Sequence, residues 1–175
     1  PAVTATIVHI LNELAQRLAV PRVTEVGALS DPSKGSRPKG TVDGRFSGRR
    51  EQARLACVEV VGVGSGAVER IRRERVGGIV VFQDAGMVAR AGRIAEFALK
   101  ERLLAVSGWA QFAEAGFLAT YGPNLRESYR RLASYVDRVL KGARADSLPV
   151  ELPTRVELAV NLGTAKVLGI AVPDS

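Results

Sequence analysis

Residues 77–110 read GGIVVFQDAGMVARAGRIAEFALKERLLAVSGWA, and the order of patterns within them decides the fold. Ile79–Phe82 is an unbroken apolar run, entered through Gly77-Gly78 and left at Gln83-Asp84, which predicts a short buried strand. From about Gly86 to Arg102, the residues Val88, Ile94, Ala95, Ala98 and Leu99 recur at helical spacing, so a helix follows. Leu103–Val106 is again apolar and makes the next strand. Strand, helix and strand in succession form a crossover unit, whose strands run parallel and whose turn is right-handed. Strands that are apolar throughout suit such a sheet, because helices cover both of its faces.

The same alternation extends both ways. Downstream, Ala110–Ala115 reads as a short helix and Phe117–Tyr121 as a strand. Leu125–Lys141 is the strongest helix of the chain. Asn124 takes the cap position with Glu127 three residues on, a capping-box arrangement, and Gly142 supplies the stop. Leu125, Tyr129, Leu132, Val136 and Leu140 form a stripe expected to be buried. Asp146–Pro153 is a connection, Val156–Val160 a last strand, and Asn161–Leu168 a short helix. Upstream, Val23–Leu29 is a strand closed by Ser30-Asp31-Pro32, and Ser33–Gly48 reads as a glycine-bearing loop. A helix is expected over Arg49–Ala56, a strand over Cys57–Val63 and a helix over Ala67–Arg75. The fold class is therefore α/β, with a doubly wound, mostly parallel sheet.

Composition narrows the function. With 175 residues, 46% hydrophobic and 25% charged, the chain has the makings of a packed domain. Pro1–Leu11 is apolar but lacks a basic lead-in and a small-residue cleavage site, so it does not read as a signal peptide. Cys57 is the single cysteine and His9 the single histidine, which removes an internal disulfide, a zinc site and a His-dependent triad. Gly62-Val63-Gly64-Ser65-Gly66 invites a dinucleotide reading, but counted from Gly64 the last glycine of G-x-G-x-x-G is Glu69. No cofactor is expected. Nor is catalysis, because no nucleophile, base and orienting group can be assembled.

The net charge of +7 is concentrated in one place. Residues 33–54 hold Lys34, Arg37, Lys39, Arg45, Arg49, Arg50 and Arg54 against Asp43 and Glu51. Such a run is expected to be a solvated loop, and nucleic acid is not the expected partner. The alternative is a free-standing α/β interaction domain that contacts nucleic acid through this segment.

In open parallel sheets, ligands gather where loops leave the carboxyl ends of the strands. That rule nominates Ser30 and Asp31 after the first strand, Asp84 after the third, Ser107 and Trp109 after the fourth, and Tyr121 with Gly122 at the fifth. Each has a structural reading as well. Asp31 suits a turn before Pro32, and Asp84 a helix cap. Trp109 suits a buried anchor, and Tyr121 a brace for the crossover.

Phe112-Ala113-Glu114-Ala115-Gly116, then Thr120-Tyr121-Gly122-Pro123-Asn124-Leu125, resemble the stretch E-A-G-G-L-M-S-Y-G-P-x-L. That stretch belongs to a family of ABC-transporter substrate-binding proteins once called uncharacterised, some of which carry aromatic amino acids. Arg130–Ala133, Tyr135–Ala143, Leu148–Thr154 and Asn161–Gly169 continue the likeness in order and spacing, and Pro21–Pro32 and Arg72–Val81 are similar to its earlier parts. The resemblance runs from Leu14 to Pro173 and is weak between Ser33 and Gly66.

The resemblance implies one lobe of a type I periplasmic-binding-protein fold with its crossover elements. Residues 1–20 would be a remnant helical lead-in, 21–123 the ligand-binding lobe, 124–145 the crossover helix, and 146–175 the returning strand and short helix. It implies a small-molecule solute held between lobes, an ABC permease as partner, and an extracytoplasmic location. A first lobe is expected before Pro1 and a helical tail after Ser175, so the chain reads as incomplete. The surface meant for the missing lobe would be apolar, and it could pair two copies of the chain.

Overall fold

The computed structural model describes residues 25–30, 41–46, 49–59, 65–73, 75–151, 153 and 155–172. Its strands are β1 (Glu25–Ser30), β2 (Thr41–Phe46), β3 (Arg49–Glu59), β4 (Gly78–Val81), β5 (Leu104–Ser107), β6 (Ala119–Pro123) and β7 (Val156–Val160). The helices are α1 (Ser65–Arg73), α2 (Ala85–Ala89), α3 (Ala91–Lys100), α4 (Ala110–Glu114), α5 (Leu125–Leu140) and α6 (Leu162–Leu168), with a 3₁₀ turn at Ala145–Ser147. The expected lead-in helix over 1–20 lies outside the described residues.

The strands form one sheet in the order β2-β3-β1-β4-β5-β6-β7. β3, β1, β4, β5 and β6 are mutually parallel, while β2 and β7 close the two margins antiparallel. The chain thus adds β3 on one side of β1 and β4 on the other, which is the reversal that defines a doubly wound sheet.

One stretch departs from expectation. The helix expected over Arg49–Ala56 is instead the first part of β3, and the loop expected before it contains β2. The two strands pair antiparallel from Thr41 opposite Arg54 to Phe46 opposite Arg49. The reason is in the residues. Ser47-Gly48 is a turn dipeptide, Thr41-Val42 are β-branched, and no apolar stripe of helical period crosses 49–56. Residues 41–46 and 49–54 of the basic segment are therefore paired strands rather than loop and helix. Asp43 and Arg45 fall on its outer strand, where charge discourages further pairing.

Two cores occupy the two faces of the sheet, as the alternation of a strand requires. On one face Ile79, Val81 and Ala105 meet Ile71 of α1, Met87 of α2, Ile94, Ala95 and Ala98 of α3, and Phe112 of α4. Phe112 and Phe117 stack tilted, with ring centroids 5.0 Å apart. On the other face Val80, Val106 and Ala119 meet Ala165 and Leu168 of α6 and the following Ile170. The helix expected from Gly86 to Arg102 divides at Arg90, which ends α2 and begins α3.

The long helix α5 begins as expected: the Asn124 side chain accepts the Glu127 N–H at 3.0 Å. Its stripe, however, is not buried. Tyr129, Leu132, Val136 and Leu140 are 66, 57, 51 and 81% exposed, and no residue of the helix is buried. The neighbour it does touch is the connection after it, where the Tyr135 hydroxyl donates to the Pro149 carbonyl at 2.7 Å.

Candidate functional site

Parallel pairing brings the carboxyl ends of five strands to one edge. Register fixes the row: Leu29 of β1 lies beside Val81 of β4, Val81 beside Ser107 of β5, and Ser107 beside Thr120 of β6. Ser30, Gln83-Asp84, Gly108-Trp109 and Tyr121-Gly122 come next along their strands, so the nominated Ser30, Asp84, Trp109, Tyr121 and Gly122 share an edge of one sheet with Ser107. Asp31 lies outside the described residues. The crevice of a doubly wound sheet opens where the winding reverses, here at the carboxyl ends of β1 and β4. Ser30 and Asp84 flank that point.

Side chains at the edge divide by role. Ser107 is fully buried, and its hydroxyl donates to the Val81 carbonyl at 2.8 Å, which ties β5 to β4. That hydroxyl is already engaged within the sheet. Gly122 has no room for a side chain, because a methyl group there would run into the Gly108 carbonyl oxygen. Its role is close approach of backbone, not contact through a side chain. Asp84 caps α2, with Oδ1 accepting the Met87 N–H at 2.9 Å. Among the described residues, its second carboxylate oxygen has no donor and remains available.

The two aromatics sit on opposite faces. Half-buried Trp109 lies against the core of α1–α4, at the start of α4 and without a side-chain capping bond. Tyr121, also half-buried, lies against the core of α6 and stands opposite Leu158 in β7. The edge therefore does not gather both rings around one ligand. Asp84 and Trp109 belong to the face of α2 and α4, and Tyr121 to the other.

A residue passed over in sequence completes the first group. The side-chain amide of Gln83 lies directly over the Cα of Gly108, where a methyl group would strike its carbon, nitrogen and oxygen alike. The amide is half-buried, between the ends of β4 and β5. The available signal was positional: Gln83 and Gly108 are the first polar and first glycine residues after their strands. Among the described residues, no group of three or more His, Cys, Asp or Glu side chains could hold a metal ion, and no helix is long and apolar enough to cross a membrane.

No protein-family model and no curated protein sequence matches the chain. Solved structures do. A conserved domain protein of Vibrio cholerae superposes with a TM-score of 0.73 at 18% identity, over 95% of this chain and 56% of that one. The ABC domain of Streptococcus pneumoniae in complex with L-Trp gives 0.72 at 18% identity, over 93% and 55%. A ligand-free, open substrate-binding protein with adhesive properties from Clostridium difficile gives 0.59 at 15% identity, over 92% and 55%. The chain has their fold. That fold is α/β with a doubly wound, mostly parallel sheet, and the chain spans little more than half the length of the structures it matches.

Proposed function

We propose that this chain is the ligand-binding lobe of a substrate-binding protein that presents an amino acid to an ABC permease outside the cytoplasm. The observation that carries the reading is that Gln83 and Asp84 follow β4 and Trp109 follows the neighbouring β5, beside the reversal point of the winding. Those three supply complementary chemistry. The second carboxylate oxygen of Asp84 accepts from a ligand ammonium, the Gln83 amide donates to a carboxylate, and the Trp109 ring offers an apolar wall. The likeness to a structure containing L-Trp supports an amino-acid ligand. Ser30 is placed at the same reversal point by backbone position alone.

No chemistry is performed. In a two-lobed binding protein, ligand bridging the lobes stabilises the closed state, and closure is what a permease would read. One lobe supplies part of the contacts, so binding to this chain alone is expected to be weak, with Kd of about 1 mM or above. Trp109 is the single tryptophan, which makes its fluorescence a local reporter. Titration with amino acids should give a saturable change in that fluorescence, lost in Asp84→Ala. Gly108→Ala, which displaces the Gln83 amide, should weaken binding about as much as Gln83→Ala. A fluorescence signal indifferent to every amino acid would overturn the solute reading, and micromolar binding would overturn the single-lobe account of its strength.

A further inference from the structure

A second concave surface lies beyond the strand edge, where β6 runs into α5 and the chain returns into β7. It encloses about 580 Å³ and is lined by Arg126, Arg130, Arg131 and Arg155 with only two carboxylates, Glu127 and Glu157. Both carboxylates are already engaged. Glu127 accepts from Arg131 at 3.2 Å, and Glu157 accepts from the Asn124 amide at 3.1 and 3.0 Å. Arg131 also reaches Glu151 at 3.6 Å. Arg126, Arg130 and Arg155 have no carboxylate within ion-pair distance among the described residues, although all three line the same groove.

Four guanidinium groups face two carboxylates, and Glu157, bonded to a neutral amide, keeps its charge in the groove, so the lining carries a net charge of +2, whose field the concave walls concentrate. Arg126 and Arg130 stand one helical turn apart on α5, so they share a face. Arg155 approaches from the strand side, one residue before Val156, which pairs with Pro123 at the root of the helix. Guanidinium is planar and matches the paired oxygens of phosphate in two-point hydrogen bonds. None of the residues assigned to the amino-acid site lines this groove, so the two surfaces are separable.

We infer that this groove binds a multiply charged oxyanion of the phosphate class. Inorganic pyrophosphate is the probe for a free ligand, and phosphatidylglycerol vesicles are the probe for a membrane headgroup. With the whole chain, pyrophosphate should bind saturably at one site, more weakly as salt rises, and without moving Trp109 fluorescence. Arg130→Ala and Arg155→Ala should each weaken it about tenfold, while Arg93→Ala, at an exposed position of α3, should leave it unchanged. Far-UV circular dichroism shows that each variant is folded. Vesicle binding without pyrophosphate binding, lost in the same two variants, assigns the site to a headgroup. Binding of neither probe, or binding indifferent to Arg155→Ala, overturns the inference. The amino-acid titration, read at Trp109, stands or falls separately.

Discussion

α3 and α5 are both amphipathic, yet they end in opposite circumstances. α3 is ten residues long and buries Ala91, Ile94, Ala95 and Ala98, whereas α5 is sixteen residues long and buries none. A helical period says which side chains share a face, not what lies across from that face. For α3 the opposing surface is supplied by the flanking strands β4 and β5, joined to it within one crossover unit. For α5 the flanking strands β6 and β7 pair with each other, and no residue of the helix is buried against them. Among the described residues nothing buries its stripe.

The largest effect that tests this contrast is a pair of truncations. Ile94 is 2% exposed, so Ile94→Ala should lower stability to urea by about 2–4 kcal/mol through lost burial and the cavity left behind. Leu132 is 57% exposed, and Leu132→Ala should cost within about 0.5 kcal/mol. A large cost at Leu132 would mean that the stripe is covered in solution. If that cost then grew with protein concentration, the cover would be a second copy of the chain.

How far the sequence revealed these facts varies along the chain. Between Ile79 and Val160 the strands, helices and caps follow from local pattern, because each crossover unit holds both an element and its partner. The hairpin of β2 and β3 was misread, since the arginine-rich first part of β3, paired with the marginal strand β2, has neither helical nor alternating apolar period. At the candidate site, the strand-end rule located the edge but could not assign faces. Trp109 and Tyr121 look equivalent in sequence, and only register puts them on opposite sides of the sheet. Gln83 went unnoticed because its position depends on Gly108, a residue from the next strand.

The caps sharpen the comparison at a smaller scale. Asp84 and Asn124 each accept an N–H three residues on, at 2.9 and 3.0 Å. Loss of either should cost about 1 kcal/mol locally. The readouts should differ. Asp84→Ala weakens a helix integrated with the core, so the cost should enter the global unfolding midpoint. Asn124→Ala weakens a helix with no buried residue and also removes the exposed bonds from its amide to Glu157 of β7, so it should show mainly as lost helical signal with a smaller change in that midpoint. Equal shifts of the midpoint would mean that α5 unfolds together with the sheet.

The smallest effect concerns the ion pairs of the two helices. Just past α3, Glu101 accepts from the Arg72 guanidinium of α1 at 3.0 Å, and this bond holds its carboxyl below the usual carboxylate range. A carboxyl depressed on folding contributes stability that is fully present above its unfolded pKa and fades as pH falls through its folded one. Stability should therefore decline on the acid side of the ordinary glutamate range, and Glu101→Gln should remove that part of the decline. On α5 the Lys141–Asp137 pair, at 2.8 Å, joins residues of one exposed turn and ties the helix to nothing else. Asp137→Asn should leave the global unfolding midpoint almost where it was, because a pair within one exposed helical turn acts on that helix alone. A midpoint that falls with Asp137→Asn as much as with Glu101→Gln would show that α5 is coupled to the core after all.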